Sequence, residues 1–176
     1  MDAASTSSEP GRGHLAETVM RELRALSTAQ DRLDQYAMHR FGINRTDLRA
    51  LDLIGQAGVI SPTALAVALG MSTGATSAVL DRLETAGYAS REPDPAHRRR
   101  TLVRQTARAE ELGEEIFAPV ITGTVTDALA YPDAALVSIA EFLAAHRALL
   151  TRYLSEVSPA TGNAHQHTSP SSRADP

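Results

Sequence analysis

The chain has 176 residues, a hydrophobic content of 43% and a formal net charge of −4, which suits one globular unit with a real core. It contains no cysteine, and this excludes a disulfide framework and thiol-based redox sensing. No apolar run approaches the roughly 18 residues of a membrane span, and the N-terminus lacks the apolar centre of a signal peptide, so we expect a cytoplasmic protein without membrane contact.

Polar segments flank the part of the chain that shows helical periodicity. Residues 1–13 and 158–176 are rich in Ser, Gly and Pro, and we expect both segments to be disordered. His165 and His167 in the second segment offer two nitrogen ligands for a metal, but a solvated tail is the simpler interpretation.

The first half of the chain predicts two helices. A long helix is expected from about His14 to Phe41, ended by Gly42. Its apolar residues recur every three or four positions at Leu15, Val19, Leu23, Leu26, Leu33 and Ala37. Thr46 is the predicted cap of a second helix, which turns Leu48, Leu51 and Ile54 toward the core.

Two shorter helices separated by a glycine follow. Ser61 and Pro62 suit the cap and first position of one helix, and Gly70 suits the turn that leaves it. Ser72 or Thr73 then caps the next helix. In that helix the predicted buried stripe is Ala75, Val79 and Leu83, and the predicted outer face carries Thr73, Thr76, Ser77 and Asp81. Small hydroxyl side chains near a helix N-terminus suit entry into a DNA major groove.

A hairpin rich in arginine is predicted next, with strands at 88–91 and 101–105 and a turn at Pro93-Asp94-Pro95. Residues 91–108 hold six arginines against two acids, a local net charge of +4. Residues 109–157 hold eight acids against two arginines, a local net charge of −6. Because local charge decides where a polyanion binds, the hairpin is the expected DNA contact. Asp94 is expected to brace Arg98 or Arg99 across the turn.

Two long helices complete the predicted fold. One begins after Thr106 and contains Pro119, which should bend it, and the other begins near Pro132. Their apolar faces, with that of the first helix, exceed what a winged domain can cover. We therefore expect a homodimer, with an intrachain helical bundle as the alternative.

Three linked motifs give the chain a resemblance to MarR-type transcriptional regulators over about residues 14–157. These motifs are LDRLETAGY, the R-x-P-D-P-x-x-R-R wing and V-R-Q-T. Two residues depart from the family pattern. His97 stands where the family commonly has an acidic or small polar residue, and Gln105 stands where it commonly has Leu. We expect the first to tune wing contacts with pH and the second to matter little.

The resemblance implies a mainly α fold with a small β-hairpin wing. The winged helix-turn-helix would cover about 44–106, and the dimerisation helices about 14–41 and 107–157. The implied function is a homodimeric repressor on a palindromic operator in double-stranded DNA, released by a small, often aromatic effector. The expected DNA contacts are Ser72, Thr73, Thr76, Ser77, Arg98, Arg99, Arg100 and Arg104. No cofactor, metal or catalytic residue is predicted.

Two other classes of function fit the sequence less well. A winged helix can serve as a protein-interaction module without DNA binding, although three arginines in the wing argue against this. An enzyme is disfavoured because His14, His39, His97 and His146 are scattered, with no accompanying carboxylate pair or nucleophile motif.

Overall fold

The computed structural model describes residues 11–97 and 99–157, so His165 and His167 lie outside the described residues. Within those ranges the chain is mainly helical, with a two-stranded antiparallel hairpin, as predicted. The elements in chain order are α1 (Arg12–Phe41), α2 (Arg45–Ala57), α3 (Pro62–Leu69), α4 (Thr73–Thr85), β1 (Ala89–Pro93), β2 (Thr101–Gln105), α5 (Ala107–Ala128) and α6 (Asp133–Val157).

The chain forms two compact units, one up to Ile121 and one from Thr122. The first unit contains α1 to α4, the hairpin and most of α5, and its core draws on all of these elements. The largest fully buried apolar side chains there are Ile54, Leu65, Val79, Leu80, Leu83 and Val103. The second unit contains α6, which buries none of its residues within the chain.

The helix-turn-helix is built from the predicted caps. The Ser61 hydroxyl accepts a hydrogen bond from the Ala64 N–H at 3.2 Å, and Gly70 takes the left-handed conformation that ends α3. The Ser72 hydroxyl accepts from the Ala75 N–H at 3.2 Å and caps α4. The two helices are bent by 107° relative to each other, within the range of a helix-turn-helix.

Helix starts differ from the predictions at two places. Asn44, not Thr46, caps α2, because the Asn44 Oδ1 accepts from the Asp47 N–H at 2.9 Å. An amide oxygen at this position satisfies a backbone donor of the first turn just as a hydroxyl would. Helix α1 begins at Arg12, two residues before the predicted start, and ends at the left-handed Gly42 as predicted.

The buried face of α4 is rotated from the predicted one. Thr76 is 0% exposed, whereas Ala75 is exposed, so the stripe is Thr76, Val79, Leu80 and Leu83. Thr76 tolerates burial because its hydroxyl donates to the Ser72 carbonyl one turn earlier at 3.0 Å, which leaves no unsatisfied polar atom. The prediction that Thr76 faces outward to contact DNA is therefore wrong.

The hairpin is attached to the core by a bridge that the sequence did not suggest. Ile60, just before α3, exchanges two backbone hydrogen bonds with Val103 of β2 at 3.0 and 2.8 Å. Val103 is fully buried and pairs with Arg91 across the hairpin. The hairpin is thereby held on the core at its middle row.

An ion pair joins α1 to α5 within the first unit. Arg40 donates to Glu115 at 2.8 Å and to the Tyr36 hydroxyl at 2.8 Å. The hydrogen bonds to Glu115 and then to Tyr36 raise the pKa of Arg40 above its ordinary value. The ion pair links the last turns of α1 to the first half of α5.

Helix α6 is long and apolar enough to cross a bilayer, with a mean hydropathy of 1.4 over its most apolar window, and it is exposed over that window. The same window contains Glu141, His146 and Arg147. Helices α3 and α4 pass the same test only as a joined pair, and they form the bent helix-turn-helix.

Candidate nucleic-acid interface

The N-terminal half of α4 presents small hydroxyl side chains on its exposed surface. Ser72, Thr73 and Ser77 are all exposed, and no bulky side chain lies among residues 72–78. The Ser72 hydroxyl already accepts the capping hydrogen bond from Ala75, but its own proton can still be donated. Three of the four predicted α4 contacts thus lie where a groove or a phosphate can reach them, and buried Thr76 does not.

Asp94 shapes the wing turn through backbone contacts. Its Oδ1 accepts from the Ala96 N–H at 2.8 Å, and its own N–H donates to the Arg100 carbonyl at 2.9 Å. Among the described residues Asp94 forms no ion pair with Arg99, so the expected brace from Asp94 to Arg98 or Arg99 is not made with Arg99 and stays a prediction for Arg98. The reason is local, because an Asx turn uses the aspartate oxygen for the backbone two residues on. Arg98, the other predicted partner, lies outside the described residues.

Two wing arginines are uncompensated within the described part of the chain. Arg99 and Arg100 are exposed, and neither side chain has a hydrogen bond or an ion pair to a described residue. Arg104, also predicted to contact DNA, is half exposed and pairs with Glu92 across the hairpin at 3.1 Å. Arg104 must therefore leave Glu92, or share it, before it can bind a phosphate.

Two further arginines of the basic segment are engaged inside the domain. Arg91 pairs with Asp81 at 2.7 Å and with Glu84, both on α4. Arg108 lies 4.9 Å from the centre of the Tyr88 ring and donates to the Ala86 carbonyl at 3.3 Å. Fewer arginines are therefore available to an anion than the local charge of +4 suggests. The available ones that the structure describes, Arg99 and Arg100, lie near the tip of the wing.

Helix α4 is fixed to α2 by a charged pair. Arg82 donates to both carboxylate oxygens of Asp47, at 3.0 and 2.5 Å, and Asp47 is only 2% exposed. Asn44 Nδ2 donates a third hydrogen bond to Asp47 at 2.8 Å. The hydrogen bonding to Asp47 raises the pKa of Arg82 despite the opposing effect of desolvation. The pair sets the position of the exposed α4 face relative to the rest of the domain.

Comparison with known proteins decides the family. The MarR family model matches residues 41–100, which include α2, the helix-turn-helix, and the first strand and turn of the wing. The uncharacterized HTH-type transcriptional regulator YcgE of Bacillus subtilis is 31% identical over 137 residues, which are 78% of this chain and 89% of YcgE. The chain belongs to the MarR family.

Solved structures support the same fold for this MarR-family regulator. The transcriptional regulator Tm0710 from Thermotoga maritima superposes with a TM-score of 0.54 at 24% identity, covering 79% of this chain and 98% of Tm0710. NadR, solved in complex with 4-hydroxyphenylacetate, superposes with a TM-score of 0.52 at 22% identity, covering 82% of this chain and 96% of NadR. The helical architecture and hairpin therefore form the winged helix-turn-helix that the sequence predicted.

The departure from the MarR pattern at Gln105 has a structural role, contrary to the expectation that it matters little. Gln105 Nε2 donates to the Leu51 carbonyl of α2 at 2.7 Å. Gly55 leaves the space for this contact, since a Cβ built there would lie 2.6 Å from the same nitrogen. The glutamine thus ties β2 to α2 with a hydrogen bond that leucine cannot make.

Besides the Gln105 hydrogen bond, sequence reasoning missed three further contacts that join the wing and α4 to their surroundings. These contacts are Asp47 with Arg82, Arg91 with α4, and Ile60 with Val103. From the sequence, the arginines of the hairpin look only like cations for DNA. The available signal was the presence of Asp81 and Glu84 on the helix beside an arginine-rich hairpin, because opposite charges on adjacent elements commonly pair.

Proposed function

We propose that this MarR-family regulator is a homodimeric repressor that binds a palindromic operator in double-stranded DNA. Each subunit places the N-terminal half of α4 in a major groove and its wing against the flanking minor groove. The observation that carries the proposal is that exposed hydroxyl groups and, within the described ranges, unpaired arginines lie on two adjoining elements. Exposed hydroxyls on α4 adjoin a wing in which Arg99 and Arg100 have no acidic partner among the described residues.

The two parts of the surface supply different terms of the binding free energy. Thr73 and Ser77 can donate to or accept from base edges, so they supply sequence preference. Arg99 and Arg100 supply affinity by neutralising phosphates or entering a narrow A·T minor groove, where the negative potential is strongest. Arg98, which precedes them in the sequence, is proposed to act with them, and Arg104 to contact the backbone once Glu92 releases it.

The homodimer is supported by apolar side chains that the single chain leaves exposed. In α6 these are Val137, Ile139, Phe142, Leu143, Leu149, Leu150, Tyr153, Leu154 and Val157. In α1 they include Leu15, Val19, Met20 and Leu26. Apolar surface on this scale is unfavourable in water and typical of a subunit interface. A two-fold dimer then reads two half-sites spaced by about one helical turn of DNA.

A small aromatic molecule is the proposed effector, and its binding is proposed to lower the affinity of the regulator for DNA. Two observations support this class of ligand. The chain resembles a family in which such effectors are common, and the fold neighbour NadR was solved with 4-hydroxyphenylacetate. Titration with 4-hydroxyphenylacetate and related phenols during DNA-binding measurements tests the class, and weaker operator binding is the expected result.

The salt dependence of DNA binding tests the proposed interface. Affinity should fall steeply with salt, because phosphate contacts release counterions. Arg99→Ala with Arg100→Ala should lower affinity and reduce the slope of log affinity against log salt by roughly 0.9 for each phosphate that is no longer neutralised. Arg24→Ala with Arg32→Ala is the matched control, because it also removes two positive charges, from exposed positions on α1 far from the wing in sequence. Unchanged affinity and slope in the wing variant would remove the wing from the interface and favour a protein-interaction module.

A further inference from the structure

The side chain of Arg91 connects the wing to the outer side of α4. From β1 its Nη1 pairs with Asp81 at 2.7 Å and with Glu84, and its Nη2 donates to the Ser77 carbonyl at 3.2 Å. Its backbone N–H also donates to Glu84 at 2.9 Å. The Arg91 side chain is only 25% exposed, so these contacts leave little of it to reach DNA directly.

Arg91 lies in the same row of the hairpin as the residue that attaches the second strand to the core. Its cross-strand partner is Val103, which is fully buried and bridged to Ile60. One strand is therefore fixed to α4 by a side chain and the other to the core by its backbone. Beyond this row, toward Arg99, the hydrogen bonds and ion pairs of the described wing residues are made within the hairpin and its turn.

We propose that Arg91 is a positioning residue that makes the wing and α4 one rigid DNA-reading unit. The proposal rests on the DNA-binding function proposed above. Arg91 sets the direction in which the wing leaves the core, and Arg99 depends on that direction to reach the groove next to the one occupied by α4.

A double-mutant cycle on DNA affinity tests this dependence. Arg99→Ala should lower affinity about tenfold in the parent protein, as expected for removal of a charged hydrogen bond. In an Arg91→Gln background the same change should cost less than about twofold, because the wing no longer holds Arg99 in place. Arg104→Gln is the control in the same hairpin. It removes a charge but leaves Arg91 in place, so its effect should be additive with that of Arg99→Ala.

Substitution of the two acids on α4 distinguishes a positioning role from simple repulsion of DNA, because the two explanations predict opposite changes in DNA affinity. Asp81→Asn with Glu84→Gln removes two negative charges, so affinity should rise if these acids act only by repelling DNA. If they hold Arg91 and thereby the wing, affinity should fall and Arg99→Ala should again cost little. Asp81 and Glu84 are 64% and 32% exposed at the side chain, so these substitutions should be tolerated by the fold, and thermal unfolding checks this.

The outcomes separate this proposal from the function on which it rests. An unaltered protein without salt-dependent DNA binding would overturn both. An unaltered protein that binds DNA, combined with a full tenfold effect of Arg99→Ala in the Arg91→Gln background, would overturn only the positioning role. Disappearance of the Arg99→Ala effect in both the strand-side and helix-side variants, with additivity for Arg104→Gln, would establish it.

Discussion

The carboxylate of Asp47 and the guanidinium of Arg82 join the N-terminal turn of α2 to the second half of α4. Two hydrogen bonds of 3.0 and 2.5 Å form a fork between them, and the carboxylate side is almost fully buried. A bidentate pair of this kind fixes both distance and angle. The exposed face of α4 is thus held by one ion pair toward the core and by Arg91 toward the wing.

Replacing Asp47 should therefore destabilise the domain as well as weaken DNA binding. Asp47→Ala removes the acceptor for Arg82 and Asn44, and we expect a loss of about 1–3 kcal/mol in the free energy of unfolding. Urea denaturation followed by circular dichroism measures this loss. Asp52→Ala is the matched control, because Asp52 is exposed on the same helix and its only described side-chain contact is with Gln56. Equal effects of the two substitutions would show that the buried pair contributes nothing specific.

Thr76 and its neighbour Ser77 should behave differently when each is replaced by Ala. Thr76→Ala should cost about 1–2 kcal/mol of stability, because it removes a buried methyl group and hydroxyl, and it should leave base preference unchanged. Ser77→Ala should alter base preference without loss of stability. Thr76→Val is a control that preserves volume, and it should be nearly neutral because the Ser72 carbonyl keeps the Thr76 N–H as a donor. A changed binding motif for Thr76→Ala at unchanged stability would contradict the observed burial.

Removing the charge of Glu92 should strengthen DNA binding. Glu92→Gln releases Arg104 from its exposed ion pair, and such pairs are weak, so we expect a gain of only about two- to fivefold in affinity. In an Arg104→Gln background, Glu92→Gln should no longer raise DNA affinity above that of Arg104→Gln alone, as measured by fluorescence anisotropy at fixed salt. An equal gain in the double variant would mean that Glu92 acts only through long-range repulsion.

Gly55 and Gln105 should show strong coupling in stability. In the parent, Gly55→Ala gains about 1 kcal/mol of helix propensity but displaces Gln105 from Leu51, at a cost of similar size, so little net change is expected. In a Gln105→Ala background the displacement no longer matters, and Gly55→Ala should stabilise the protein by about 1 kcal/mol. Thermal denaturation of the four proteins completes the cycle, and simple additivity would show that the two residues do not interact.

Local signals in the sequence predict the helices, turns and hairpin well, but they do not predict the side-chain contacts between elements that are distant in sequence. Caps, glycine turns and helical periodicity are properties of short segments, so Ser61, Gly70 and Ser72 indicate the helix-turn-helix correctly. The predicted outer face of α4 is wrong at Thr76 alone, since alanine and threonine are both small and a threonine hydroxyl can be satisfied by its own helix. Arg91 and Arg104 look like free charges in the sequence because their acidic partners come close only after folding.

Selection of binding sites from a random double-stranded DNA library tests the central claim most directly. The unaltered protein should be a dimer by light scattering, and it should enrich a palindromic sequence with half-sites about one helical turn apart. Ser77→Ala should alter the half-site, whereas the Arg99→Ala, Arg100→Ala variant should keep the half-site at reduced affinity and lose preference for A·T-rich flanks. A monomeric protein, or one that enriches no sequence above background at physiological salt, would contradict the account.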